Sequence, residues 1–160
     1  MKIAIGSDHA GYALKEDLKY DIDRDLHATI VDVGTNSDQS VDYPDYAEKV
    51  VRLVQNKEVD FGILICGTGI GMSIAANKFE GIRAAKCNSA VEATLTRQHN
   101  DANIICLASR TVDNELAMQI VKAFAMTDFS AEERHVRRLS KITGLECLNH
   151  DEMRKKRMTP

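Results

Sequence analysis

The sequence predicts an α/β protein, a Rossmann-like three-layer α/β/α sandwich around a central parallel sheet of about five strands. Three observations predict it. Short β-branched and apolar runs alternate with longer amphipathic ones along the whole chain. The runs themselves, GILIC at 62–66 above all, are apolar at consecutive rather than alternate positions, as strands buried on both faces are. No internal repeat or low-complexity linker interrupts the pattern. Helices on both faces of the sheet and right-handed crossovers follow from this.

Taken in order, the expected strands are 2–7 (KIAIGS), 28–33 (ATIVDV), 59–66 (VDFGILIC), 81–87 (GIRAAKC) and 103–108 (NIICLA). Leu14, Leu18 and Ile22 recur every four residues, the spacing of one helical face between the first two strands. Tyr46, Val50, Leu53 and Val54 mix spacings of three and four and predict the next helix. Two helices should follow the fifth strand. One spans roughly 113–126 and packs through Leu116, Ile120 and Phe124; the other, roughly 130–143, carries the RHVRR cluster.

The 160 residues suit a single domain, with about 145–160 as a C-terminal extension. A net charge of −3 creates no global field for nucleic acid. The basic run MRKKR near the C-terminus reads as a frayed, solvated tail. The opening MKIAIGSDHAG has no long apolar core of a signal peptide, and no apolar run approaches the roughly 20 residues of a membrane helix. A cytoplasmic protein with no membrane partner is therefore expected. Cys66, Cys87, Cys106 and Cys147 are far apart, with no C-x-x-C pair, so reduced thiols are expected rather than disulfides or structural zinc.

In a parallel sheet of this kind, ligands collect beyond the carboxyl ends of the strands, where the winding reverses. Two glycine-rich segments fall there: GSDHAG after the first strand and CGTGIG after the third. Glycines let backbone amides approach an anion, so a phosphate or an oxyanion is the natural guest. A nucleotide P-loop needs Lys and then Ser or Thr where this chain has Tyr12 and Ala13. A cysteine phosphatase needs an arginine six positions after its nucleophile, where this chain has Met72. In GTGIG the third glycine comes one residue early for a dinucleotide fingerprint. What remains is Cys66 at a helix start, a thiol placed to act as a base. Cys87 and Cys106 lead into no glycine loop and read as small buried residues.

The histidines and arginines sort in a similar way. His27 and His150 stand in polar surroundings and receive no role. His9, beside Asp8 at the end of the first strand, and His99, in RQHND before the fifth, can each exchange a proton with a hydroxyl or meet a phosphate. In SAEERHVRRLSKI, Glu133 and Arg137 are spaced to pair. Arg134 and Arg138 instead share a face with like charge, an arrangement that an anion between them would stabilise. His135 and Arg110, the latter in ASRTV, are placed to add to such a phosphate site.

The segments GSDHAGYALK, DYPDYA, GILICGTGIGMSIAANKFEGIRAA, RQHNDAN and SRTV resemble the B-type ribose-5-phosphate isomerase family, which includes galactose-6-phosphate and allose-6-phosphate isomerases. The likeness covers roughly residues 1–143; LECLNHDEMRKKRMTP extends beyond it. It implies a phosphorylated sugar as substrate, no metal and no cofactor. It also implies a homodimer, or a dimer of such dimers, with active sites built by both subunits. At matched positions it implies Cys66 as the proton-abstracting base and His99 as the ring-opening acid/base. Asp8, His9, Gly67, Thr68, Gly69, Ile70, Gly71, Asn100, Arg110, Arg134 and Arg138 match substrate-binding positions.

The expected reaction interconverts ribose 5-phosphate and ribulose 5-phosphate through an enediolate. Allose 6-phosphate, galactose 6-phosphate and a non-catalytic sugar-phosphate-binding subunit are the alternatives, because no residue measures the one-carbon difference in substrate length. Retention of Cys66 together with His99 argues against the non-catalytic one. A geometric expectation accompanies the assignment. Cys66 ends the third strand and His99 precedes the fifth, so they lie at opposite sheet edges, roughly 17–20 Å apart; unless the intervening loop folds back, a two-fold dimer in which each subunit lends His99 and Asn100 to its partner's Cys66 loop is expected.

Overall fold

The apolar runs form the expected sheet. A computed structural model describes the chain over residues 1–158, with side chains as far as Glu146. Its elements are β1 (Lys2–Ser7), α1 (Tyr12–Leu26), β2 (Thr29–Asp32), α2 (Tyr43–Gln55), β3 (Phe61–Cys66) and α3 (Ile70–Ala76), followed by β4 (Ala84–Lys86), α4 (Ala90–Asn100), β5 (Ile104–Ala108), α5 (Asn114–Ala125) and α6 (Glu133–Met158). A short 3-10 turn, His9–Gly11, joins β1 to α1.

The five strands are all parallel and lie in the order β2-β1-β3-β5-β4. The winding reverses between β1 and β3, so the two glycine segments that follow those strands emerge side by side at the carboxyl edge. Every residue of β3 is buried, which is why its sequence does not alternate. On one face Ile5, Ile63 and Ile65 pack with Leu18 and Ile22 of α1, Ala93 of α4 and Phe124 of α5. On the other, Leu64, Cys66 and Cys106 pack with Val50 and Val51 of α2 and Met72 of α3. Each fully buried Leu or Ile contributes about 1.5–3 kcal/mol relative to exposure, so the two layers hold the carboxyl edge rigidly. Cys66 therefore faces the α2 and α3 layer at the very end of its strand.

Strand ends differ from the expected ones through local side-chain bonding. Asp60, expected within the third strand, precedes β3 and accepts the backbone N–H of Lys2 at 2.7 Å. Gly81 has φ +73°, and Arg83 N–H donates to Asn103 Oδ1 at 2.9 Å, so β4 begins only at Ala84. In α5 the fully buried stripe is Ala117, Met118, Ile120, Val121 and Phe124, with Leu116 only half-buried.

The larger correction is at the C-terminus, where α6 continues to Met158 rather than stopping near 143. Residues 145–158 are rich in Leu, Glu, Met, Lys and Arg and contain neither Gly nor Pro, so nothing in them ends a helix. The MRKKR run, expected to be frayed, has helical backbone; its side chains, like those of Cys147 and His150, lie outside the described residues. Among the described residues no helix is long and apolar enough to cross a membrane.

Candidate active site

Cys66 is the last residue of β3, level with Ala108 of β5. It is 4% exposed, and its Sγ accepts the backbone N–H of Gly69 at 3.1 Å. The loop can turn back on the sulfur only because Gly69 adopts φ +71°. A Cβ there would stand 3.1 Å from the Leu107 carbonyl carbon and 3.2 Å from its oxygen. Ile70 N–H donates to Thr68 Oγ1 at 3.3 Å. Within the chain the Gly69 amide thus serves the cysteine and the Ile70 amide the threonine, which the tight turn into α3 brings within reach.

Neighbouring loops converge on the same edge. Arg110 N–H donates to the Gly67 carbonyl at 3.2 Å, and its guanidinium lies over that glycine, with Nε only 3.0 Å from where a Cβ would sit. Ser109 Oγ donates to the carbonyls of Ala10 at 2.8 Å and Cys66 at 3.2 Å, joining the loops after β1, β3 and β5. Asp8 is buried; its N–H donates to the Ile65 carbonyl at 3.1 Å and its Oδ1 accepts Gly11 N–H at 3.0 Å. His9 Nδ1 accepts Val41 N–H at 3.2 Å, which leaves Nε2 for a ligand. The Tyr43 ring, at the start of α2, covers Gly71.

The connector that reaches His9 is anchored by charge. Lys15 of α1 is wholly excluded from solvent and pairs with Asp32 at 2.6 Å, while Asp32 Oδ1 accepts Gly34 N–H at 2.9 Å. Gly34 and Thr35 in turn exchange hydrogen bonds with Ser7, at 2.7 and 2.9 Å.

The remaining described cysteines fit the expectation of small buried residues. Burial, with Glu92 adding to it, pushes the Cys87 thiol up to about 12. Burial, followed by the neighbouring Cys66 and Cys87, holds the Cys106 thiol well above its ordinary value. Neither is a nucleophile or base near neutrality.

A second cluster occupies the opposite edge. His99 and Asn100 end α4, and Asp101 closes that helix at φ 44°, held by Arg83 and Arg97 at 2.9 and 3.0 Å. The His99 ring lies against His135 of α6, with centroids 4.4 Å apart and planes tilted by 41°. His135 is 2% exposed, and its Nδ1 bonds Ser130 Oγ at 2.8 Å. Burial, then His99 and Arg134, lowers the pKa of His135, with Glu132 opposing. Arg134 and Arg138 are exposed on the same turn and a half of α6. Arg134 was expected to lack a carboxylate. It pairs with Glu132 at 2.8 Å, because the turn before α6 folds that carboxylate back. The expected Glu133–Arg137 pair is absent among the described residues.

One chain thus gathers Cys66, the 67–71 loop, Asp8, His9 and Arg110 at one edge, and His99, Asn100, Arg134 and Arg138 at the other. β5 runs from Ile104, just past Asn100, to Ala108 beside Cys66, so strand length alone separates the groups by roughly 13 Å.

Residues 3–142 match the family model described as Ribose/Galactose Isomerase. The chain belongs to the ribose/galactose isomerase family. Ribose-5-phosphate isomerase B of Escherichia coli (strain K12) is 47% identical over 146 residues, spanning 91% of this chain and 96% of that protein. A putative sugar phosphate isomerase of Bacillus subtilis (strain 168) is 46% identical over 150 residues, spanning 93% and 99%. Among solved structures, ribose-5-phosphate isomerase B of Clostridium thermocellum superposes with a TM-score of 0.89 at 46% identity, covering 93% of this chain and 99% of that one. A Thermotoga maritima ribose 5-phosphate isomerase gives 0.86 at 51%, covering 89% and 97%.

Sequence reasoning missed several residues around these two clusters. Tyr43 was visible only as part of DYPDYA, where the proline marks a helix start. Ser109 and the His99–His135 contact carry no local signal, since each joins segments distant in sequence. Two exposed apolar pairs also escaped notice: Ile70 and Ile74 on α3, and Val91 and Leu95 on α4.

Proposed function

We propose that the chain is an aldose–ketose isomerase that interconverts ribose 5-phosphate and ribulose 5-phosphate with Cys66 as its base. The observation that carries the proposal is the Gly69 N–H aimed at Cys66 Sγ, at the end of a buried strand and within a loop built of glycines. An amide so placed stabilises negative charge on sulfur before the proton transfer and helps hold the thiolate at a fixed angle.

In the proposed reaction His99 moves a proton to the ring oxygen to open the furanose, assisted by Asp8 or Asn100. Cys66 then takes the C2 proton of the open-chain aldose, and the electron pair forms the C1–C2 double bond of an enediolate. The proton returns at C1 while O2 gives one up and O1 gains one. Amides of the 67–71 loop not already engaged stabilise the oxyanion. Arg110, Arg134, Arg138 and His9 hold the remote phosphate, whose binding energy positions the reacting carbons.

Because the two clusters occupy opposite edges of one chain, the reading requires a homodimer with shared sites. The sheet ends at β4, and α3 and α4, on its two faces, carry exposed apolar pairs, Ile70 with Ile74 and Val91 with Leu95, that such a dimer would cover. A two-fold axis perpendicular to the strands at this edge would reverse strand direction and so bring the His99 end of one subunit to the Cys66 end of its partner. A base that works as a free thiol suits a reducing compartment, and we assign the enzyme to the cytoplasm.

The test is kcat/KM on ribose 5-phosphate, allose 6-phosphate and galactose 6-phosphate, with Cys66→Ala as control. Ribose 5-phosphate should be preferred and Cys66→Ala should lose turnover while still binding the sugar phosphate. A tenfold preference for a six-carbon sugar would change the substrate; more than about a tenth of the original kcat in Cys66→Ala would remove the base.

A further inference from the structure

The proposed acid/base His99 does not stand alone, and its neighbour is the most completely buried polar side chain among the described residues of α6. His135 is 2% exposed, is held at Nδ1 by Ser130 Oγ at 2.8 Å, and lays its ring against His99 with centroids 4.4 Å apart. Ser130 is itself tied in place, its N–H donating to the Gln98 carbonyl on α4 at 3.1 Å. The two histidines and the serine thus form a closed loop between α4 and α6. A ring locked at one nitrogen and packed through its face is a platform for the ring stacked on it.

We propose that His135 is a positioning residue for His99: its buried ring, fixed by Ser130, sets the orientation in which the His99 imidazole meets the sugar ring oxygen. This rests on the assignment of His99 as the ring-opening group. His135 does not reach the sugar itself, since its own ring is enclosed.

The charged and titratable groups around His135 explain why it suits this role. Arg134 and Arg138 on its own helix and His99 on α4 disfavour its protonated form, as burial does, and only Glu132 in the preceding turn favours it. Near neutrality it therefore packs against His99 as an uncharged ring, adding shape without adding a competing cation. Below the usual histidine range, protonation of His135 would place a charge against the His99 ring and disturb the orientation.

The test separates ring opening from proton transfer. Ribose 5-phosphate is cyclic and needs its ring opened. Ribulose 5-phosphate, whose O5 is esterified, has no furanose form, so exchange of its C1 hydrogen with deuterium oxide reports the base alone. The inference predicts that His135→Ala lowers kcat on ribose 5-phosphate about tenfold, leaves KM within about twofold and leaves C1 exchange on ribulose 5-phosphate near the original rate. Ser130→Ala, which keeps the ring but frees it, should show the same split with a smaller loss, and stands in should His135→Ala fail to fold.

His99→Ala run in parallel tells the two failures apart. If His99→Ala shows the split but neither His135→Ala nor Ser130→Ala does, the positioning role is wrong and the assignment of His99 stands. If both reactions fall together in His135→Ala and Ser130→Ala, the pair is merely structural and the inference is overturned. If His99→Ala itself shows no split, the ring-opening assignment falls and the positioning role falls with it.

Discussion

The amide of Gly69 donates to Cys66 Sγ at 3.1 Å, and it reaches the sulfur only because Gly69 sits in the left-handed region with the Leu107 carbonyl close behind it. Gly69→Ala should therefore swing the N–H off the sulfur. The left-handed backbone costs an alanine roughly 1–2 kcal/mol, so the variant should remain folded. We expect kcat to fall about a hundredfold, the scale of losing one aligned amide donor, while the protein still melts cooperatively. Steady-state kinetics and thermal denaturation on the same sample check this; an unchanged kcat would detach the hydrogen bond from catalysis.

Arg138 has no ion-pair partner among the described residues, whereas Arg134 is paired with Glu132. The unpaired guanidinium is the one with most to gain from a phosphate. Arg138→Ala should raise KM about tenfold, and sodium chloride should raise the KM of the unsubstituted enzyme more than that of the variant. Unchanged KM and kcat would return Arg138 to the role of a solvated surface residue.

Lys15 is fully buried and depends on Asp32 and Glu16, each at 2.6 Å. Burial alone would raise the Asp32 carboxyl, but hydrogen bonds from Lys15, Lys19 and Gly34 outweigh it and leave its pKa below the ordinary value. The folded pKa is thus depressed. Its stabilisation is present above the unfolded carboxylate pKa of about 4 and is lost as pH falls through the lower folded value. Asp32→Asn should cost about 3 kcal/mol at pH 7, since it strips a partner from a buried cation while Glu16 remains. Urea denaturation from pH 7 to pH 3 should show the difference from the unsubstituted protein shrinking toward the acid end. A constant difference would mean that the ion pair is not its source.

Much of this architecture could be read in the sequence, for physical reasons. Consecutive apolar residues such as Ile63, Leu64 and Ile65 can be buried only in a sheet covered on both faces, and that requirement fixes the layers and the carboxyl-edge location of Cys66. Glycines 67, 69 and 71 were legible because only glycine permits that close approach. What could not be read depends on contacts across the chain or on side chains competing with the backbone. Asp60 and Asn103 trim strands by bonding backbone groups outside the ladder. The Arg134–Glu132 pair depends on the fold of an irregular turn, and the His99–His135 contact on how α6 returns to α4. Helix α6 runs past its expected end because residues 145–158 keep high helix propensity with no Gly or Pro to stop them, although they carry no clear apolar periodicity.

The central claim is that one active site draws Cys66 from one subunit and His99 from another, and mixing two inactive variants tests it most directly. Cys66→Ala and His99→Ala subunits, each nearly inactive alone, are unfolded together, refolded at equal ratio and assayed, with heterodimer content measured by native mass spectrometry. Random pairing makes half of the dimers mixed, and each mixed dimer holds one site with both groups intact. The account predicts recovery to roughly a quarter of the original activity. No recovery in a sample that contains the heterodimer would place Cys66 and His99 in the same subunit's site and contradict the account.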